Sequence, residues 1–298
     1  MPSVSQDNSP QVKVSDWELD FYSRPIIDSD GKKRWELLIT SSEYLNGIEP
    51  FRWEKICPAG EVNSIWLAQA LQEALVDAQK EGWETPLRLR CWRTSMKTMI
   101  SKAALKVGIE VIPSRRTFSL LDWLAQREKD IYPNQKGYIA GPLAPPPTRI
   151  LNQPEPLPEE VRGDAWSFAL LPLGTLLEAN EWPIEFSGLL PIKEKYDLSI
   201  QIPGLRLFSK SRALALAGWL GGLEPVKLVI EGNQLLLEAG QDDRWLVTDM
   251  TQEASKEAAK AFTNSRENAG GIQFLSIQAT PEEERFAGFW MLREMSEY

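Results

Sequence analysis

The chain has 298 residues, 43% hydrophobic and 25% charged, a globular composition with room for two domains. Its net charge of −9 argues against a sequence-blind nucleic-acid binder, whose affinity comes mostly from neutralising phosphates. It has no histidine, which excludes Ser/His/Asp and Cys/His nucleophiles, HExxH zinc sites and histidine pH switches together.

Residues 1–15 are polar, without an apolar run, and read as a disordered lead rather than a signal or transit peptide. Strands are expected at 17–23 and 33–40, joined by the turn Asp28-Ser-Asp-Gly31, and at 51–57. Apolar positions Ile65, Ala68, Leu71, Leu75 and Ala78 predict an amphipathic helix over 63–80. A strand at 87–92, a helix at 95–107 closed by Gly108, a strand at 109–113 and a helix at 119–132 complete this half. The order β-β-β-α-β-α-β-α is that of a ribonuclease H-like mixed sheet, so the fold class is α/β.

Residues 142–160 hold seven of the 21 prolines, which favours an extended, semi-rigid linker (142–162) between domains 16–141 and 163–298. Beyond it, strands are expected at 167–173, 198–202, 226–230, 235–238, 244–248 and 272–277, the middle pair turning at Gly232-Asn233. Helices are expected at 252–262 and 281–295, and Gly218 to Gly222 reads as a helix terminus. The run reads as a diverged copy of the first domain. The apolar stretches 167–173 and 213–220 are far shorter than the roughly 20 residues that span a bilayer, so no membrane insertion is expected. Cys57 and Cys91 are separated and lie in apolar runs, which predicts buried free thiols in a reducing cytoplasm.

The segments Trp17-Glu-Leu-Asp-Phe-Tyr-Ser-Arg-Pro25, Lys33-Arg-Trp-Glu-Leu37 and Trp245-Leu-Val-Thr-Asp249 resemble the Tab-type family of RNA-binding proteins of chloroplasts and cyanobacteria. The resemblance runs from Trp17 to about Trp290 and departs at Val247, where a second leucine is expected. It implies RNA binding, in support of translation of photosystem I reaction-centre messenger RNA and assembly of photosystem proteins. It implies a cyanobacterial cytoplasm or, for a mature plastid form, the chloroplast stroma. A single-stranded leader, A/U-rich or otherwise, is the implied partner, with the ribosome or photosystem assembly factors beside it. It supplies no residue-level RNA site.

The residues themselves suggest one. Between Arg88 and Arg116 lie eight basic side chains, Arg88, Arg90, Arg93, Lys97, Lys102, Lys106, Arg115 and Arg116, against a single acid, Glu110. Arg88 and Arg90 share a strand face. Arg93, Arg115 and Arg116 are expected at the carboxyl ends of parallel strands, where open α/β sheets place ligands. Trp92 and Phe118 would offer stacking surfaces beside them. Trp17 and Trp35 are expected to pack as cross-strand aromatics, leaving Arg24 and Arg34 as further phosphate contacts. The competing reading of the basic segment is a solvated face paired with acids.

No Walker A or GxGxxG sequence follows a strand, so no nucleotide cofactor is expected, and the leading reading is non-enzymatic. Two alternatives stay open. One is a protein-interaction scaffold with a surface built from the 12 tryptophans. The other is a two-metal nuclease using Asp20 with Glu73 or Asp77, although Arg93 stands where a metal-binding acid is needed.

Overall fold

A computed structural model describes residues 15–42, 49–140, 152–190 and 197–294. The expected β-β-β-α-β-α-β-α order is the order of its first half: β1 (Trp17–Ile27), β2 (Lys33–Ser41), β3 (Arg52–Cys57), α1 (Ser64–Lys80), β4 (Arg88–Cys91), α2 (Lys97–Val107), β5 (Glu110–Pro113) and α3 (Phe118–Asp130). The sheet runs β3-β2-β1-β4-β5, the first three strands antiparallel and β1, β4 and β5 parallel. Local chemistry sets the boundaries. Asn63 caps α1 by accepting from the Ile65 and Trp66 N–H groups at 2.9 and 3.0 Å, and Gly108 ends α2 in the left-handed region at φ 76°.

Strand alternation divides the residues of this sheet between two very different faces. Trp17, Leu19, Phe21, Leu37, Ile39, Leu89 and Cys91 face α1 and α2 and form the larger core. Trp17 stacks on Phe51 and Phe21 on Trp66. Trp35 lies opposite Ser23 and Trp17 opposite Ser41, so the two tryptophans sit at opposite ends of the hairpin and are not the cross-strand pair expected. The other face carries Glu18, Asp20, Glu36, Thr40 and Arg90, and all five are buried. Part of that face lies under α3, whose Leu120, Trp123 and Leu124 pack on Leu38.

The second half contains β6 (Glu155–Pro156), β7 (Ala165–Pro172), α4 (Leu173–Leu176), β8 (Ile184–Gly188), β9 (Gln201–Phe208), α5 (Ala213–Gly222), β10 (Pro225–Glu231), β11 (Gln234–Ala239), β12 (Asp243–Asp249), α6 (Glu253–Asn268), β13 (Ile272–Gln278) and β14 (Phe286–Arg293). Two sheets result, β10-β11-β12-β6 and β7-β9-β13-β14-β8. The hairpin at Gly232-Asn233 forms as expected. β13 pairs with β9 and β14 instead of joining β10, so this half does not repeat the topology of the first. The expected helix over 281–295 is largely strand β14. Its FAGFWMLR sequence is rich in aromatics that fit a pleated, buried surface, and Gly288 leaves room for the Trp290 ring where a Cβ would lie 2.3 Å away.

Of the proline-rich stretch, residues 142–151 lie outside the described residues. Residues Glu155 and Pro156 pair with Trp245 and Leu246, and Leu157 is buried, which ties this end of the stretch to the second half. Cys57 and Cys91 are free and buried, and burial pushes both thiols up to about 11. No helix among the described residues is long and apolar enough to cross a membrane.

Candidate nucleic-acid interface

The polar face of the first sheet holds two charge networks. Within the first half, Asp20 takes Arg93 Nε at 2.6 Å and Arg24 Nη1 at 2.7 Å. Arg24 also reaches Glu36, which binds Arg127 and the Tyr132 hydroxyl at 2.6 Å each. Burial pushes the Asp20 carboxyl up, but Arg93 and Arg24 more than offset it and hold it below the usual range. The Arg93 guanidinium lies 4.1 Å from the centres of both the Tyr22 and Trp92 rings.

The second network joins the halves. Arg90 makes a bidentate pair with Glu224, donates to Ser42 Oγ at 3.1 Å and lies 3.1 Å from Asp16. Glu224 is the one non-glycine residue with positive φ (59°) among the described residues, a strained backbone that follows α5 directly and carries the carboxylate facing Arg90. Burial raises the Glu224 carboxyl, and its bonds and charge contact with Arg90 outweigh that and lower it. Arg115 binds Glu238 at 2.6 Å, and Arg293 binds Asp122 at 2.8 Å. Arg116 donates to the carbonyls of Pro225, Met291 and Gly188 at 2.9, 2.9 and 2.6 Å.

Between these contacts lies a cavity of about 270 Å³. Glu18, Ser42, Arg88, Arg90, Arg116 and Phe118 line it from the first half. The second half adds β8 and the residues just after it, the glycines of α5, Glu224, Pro225 and Trp290. Glu18 is the remaining acid of the polar face. Its carboxyl accepts the Leu120 N–H at 2.8 Å, in the first turn of α3. Burial pushes it up to about 8, and the Leu120 N–H, Arg90 and Ser42 offset only part of that.

The nine side chains expected to meet RNA therefore divide. Arg24, Arg90, Arg93, Arg115 and Arg116 are buried and engaged with protein oxygens, so a phosphate would first have to displace those partners. Arg34 is held by Asp28 and Gln135 in the hairpin. Trp92 is half-buried beneath Arg93. Arg93, Arg115 and Arg116 do not gather at one edge: the first lies inside its own half, the other two between the halves. Lys97 is exposed to solvent, whereas Arg88 is paired with Asp16 at 2.7 Å and keeps a 43% exposed side chain. Lys102 and Lys106 are also exposed, and with Lys97 they make no ion pair among the described residues. Sequence reasoning could not see that a second half covers part of this segment. It also missed Glu18, whose only signal was an acid in a strand that proves to be buried on both faces.

Neither alternative finds its residues in place. All twelve tryptophans are buried or half-buried, so none stands as a fully exposed docking anchor. Asp20 is closed by two arginines, Glu73 pairs with Lys55, and Asp77 pairs with Lys80 and Trp53, so the three acids do not converge.

Comparison with known sequences identifies the kin of both halves. Residues 16–127 match the pattern described as RNA-binding protein Tab2/Atab2 N terminal, and residues 145–293 match the RNA-binding protein Tab2/Atab2, C-terminal domain. The chain is 32% identical over 303 residues to a chloroplastic TAB2 homolog of Zea mays, covering 98% of this chain and 74% of the relative. It is 32% identical over 306 residues to one of Arabidopsis thaliana, covering 98% and 78%.

Proposed function

Because the chain belongs to the Tab2/Atab2 family of RNA-binding proteins through both of its halves, we propose that it binds single-stranded messenger RNA and, without catalysing a reaction, supports translation and assembly of photosystem proteins. The observation that carries this reading is the match of both halves to one RNA-binding family, supported by buried ion pairs that join the two halves.

In this reading the exposed Lys97, Lys102 and Lys106, with the half-exposed Arg88 that also pairs with Asp16, would attract phosphate, while the buried arginines hold the halves together. The crossover through α2 returns to the start of β5, whose Glu110 pairs with Arg88, so Lys106 and Arg88 lie at the same end of the sheet. The test is equilibrium binding of labelled single-stranded RNA across a salt series. Affinity should fall linearly in log–log form as salt rises. Absence of binding at low salt would overturn the reading. Loss of the gene from its native host should lower ribosome occupancy on photosystem messages, and unchanged occupancy would remove the photosystem role alone.

A further inference from the structure

The ion pairs that clamp the halves do not explain the hollow left between them. At about 270 Å³ it is just below the roughly 300–1,000 Å³ typical of small-molecule pockets, enough for one planar group and its sugar. Phe118, Phe186 and Trp290 line it; Phe186 is 39% exposed, and Phe118 and Trp290 are 3% exposed each. The charged groups divide by depth: Glu18 is 1% exposed and Arg90, Arg116 and Glu224 are buried, whereas Arg88, paired with Asp16 at 2.7 Å, keeps a 43% exposed side chain at the rim.

The wall contributed by α5 is unusually low. Gly218, Gly221 and Gly222 all line the cavity, and none has a positive φ. A Cβ at Gly218 would come no closer than 3.4 Å, to Phe186, and one at Gly221 no closer than 3.6 Å, to Trp290, both ordinary contacts. A Cβ at Gly222 would meet nothing within 4 Å. Packing therefore does not demand glycine at these positions, and glycine weakens a helix relative to alanine. The helix loses stability and the cavity stays open.

We propose that this cavity is a nucleotide-binding site, in which one unstacked base of a single-stranded RNA enters between Phe118, Phe186 and Trp290, its polar edge toward Glu18 and its phosphate toward Arg88. The proposal rests on the reading that the chain binds RNA and gives that reading a place. A flat ring with two apolar faces, a hydrogen-bonding edge and an anionic tail matches aromatic walls, a buried carboxyl and a rim guanidinium. A bare phosphate would leave the aromatic walls unused. Held protonated by burial near neutral pH, Glu18 both donates and accepts, as a base edge with a donor beside an acceptor requires.

The test fills the cavity from the glycine wall. Wild type, Gly222→Leu and the double variant Gly218→Ala/Gly222→Leu are compared for binding of fluorescein-labelled single-stranded RNA by anisotropy. AMP and UMP are titrated separately by calorimetry, and thermal melts check the fold. Roughly tenfold or greater loss of RNA affinity with an unchanged or raised melting temperature supports the site. AMP or UMP binding that the plugged variants lose supports it as well, and shows that free nucleotide suffices. If wild type and plugged variants bind RNA equally, the cavity is not the site, while RNA binding itself stands. If wild type binds neither RNA nor nucleotide, both readings fall. Should Gly222→Leu fold poorly, photocrosslinking of 4-thiouridine RNA to wild type decides: crosslinks at Phe118, Phe186 or Trp290 support the site, and crosslinks confined elsewhere overturn it.

Discussion

Replacing Glu18 by glutamine isolates one buried carboxyl in a chain that has no histidine to confuse the measurement. Burial pushes this carboxyl from 4.5 to about 8, so between those values the native state holds a proton that the unfolded chain has released. Stability must then fall as pH rises through that window, by up to about 1.4 kcal/mol per pH unit, and level off on either side. The loss across the window is on the order of 3–5 kcal/mol, a large fraction of the roughly 5–15 kcal/mol of a typical domain. Glutamine keeps an oxygen for the Leu120 N–H, 2.8 Å from the carboxylate in the parent, and does not titrate. Urea unfolding followed by tryptophan fluorescence, at steps from pH 5 to 8, should show a falling midpoint for the parent and a nearly flat one for Glu18→Gln. The curves should meet near the acid end, with the variant more stable at pH 8. Glu128 is also raised by burial, so Glu128→Gln serves as the control that apportions any remaining slope. Parallel pH profiles for parent and Glu18→Gln, or a parent that gains stability toward pH 8, would refute the assignment of a neutral buried acid at the joint between the halves.

Glu224→Ala should cost about 3–5 kcal/mol by leaving the Arg90 guanidinium buried without its bidentate partner, and Arg90→Met combined with Glu224→Met should recover much of it; a single-variant loss below about 1 kcal/mol would mean water replaces the carboxylate. Lys97→Ala, Lys102→Ala and Lys106→Ala together should weaken RNA binding and shallow the salt slope by about 0.7 for each phosphate no longer neutralised, with the urea midpoint almost unmoved; an unchanged slope would take α2 out of the interface. Gly188→Ala would place a Cβ 2.6 Å from Arg116 Nη2 and 2.7 Å from the Trp290 ring, and calorimetric melting should show a loss of roughly 1–3 kcal/mol; a melting curve that superimposes on the parent's would show that both side chains move aside freely.

The first half was legible because its elements carry local signals: the Asn63 cap, the Gly108 stop, the apolar spacing of α1 and the hairpin turn. What the sequence concealed is the fate of the polar face of β1, β2 and β4. Alternation in Trp17-Glu-Leu-Asp-Phe normally means apolar inside and polar in water. Here the alternate residues Glu18 and Asp20 are as buried as Trp17 and Leu19, because α3 and the second half close over them. No local pattern encodes a partner that arrives more than a hundred residues later, as Glu224 does for Arg90. The same distance effect hid the second half's topology. The FAGFWMLR run has the length of a helix or a strand, and only its place between β13 and β8 selects the strand.

The burial of these arginines also reconciles an acidic chain with an RNA-binding family. A guanidinium supplies five donors in a planar fork, so it satisfies several interior acceptors at once, as Arg116 does with three carbonyls. Using arginine inside leaves exposed lysines and Arg88 as the cationic surface of the 88–116 segment, against a net charge of −9. Long-range attraction to a duplex is then weak, because few phosphates can be neutralised together. Under the proposed reading, affinity would come instead from contacts that a duplex cannot make, above all stacking of a base already free of its partner. If the proposed nucleotide site holds, a preference for single strands would arise less from added positive charge than from the aromatic hollow between the halves.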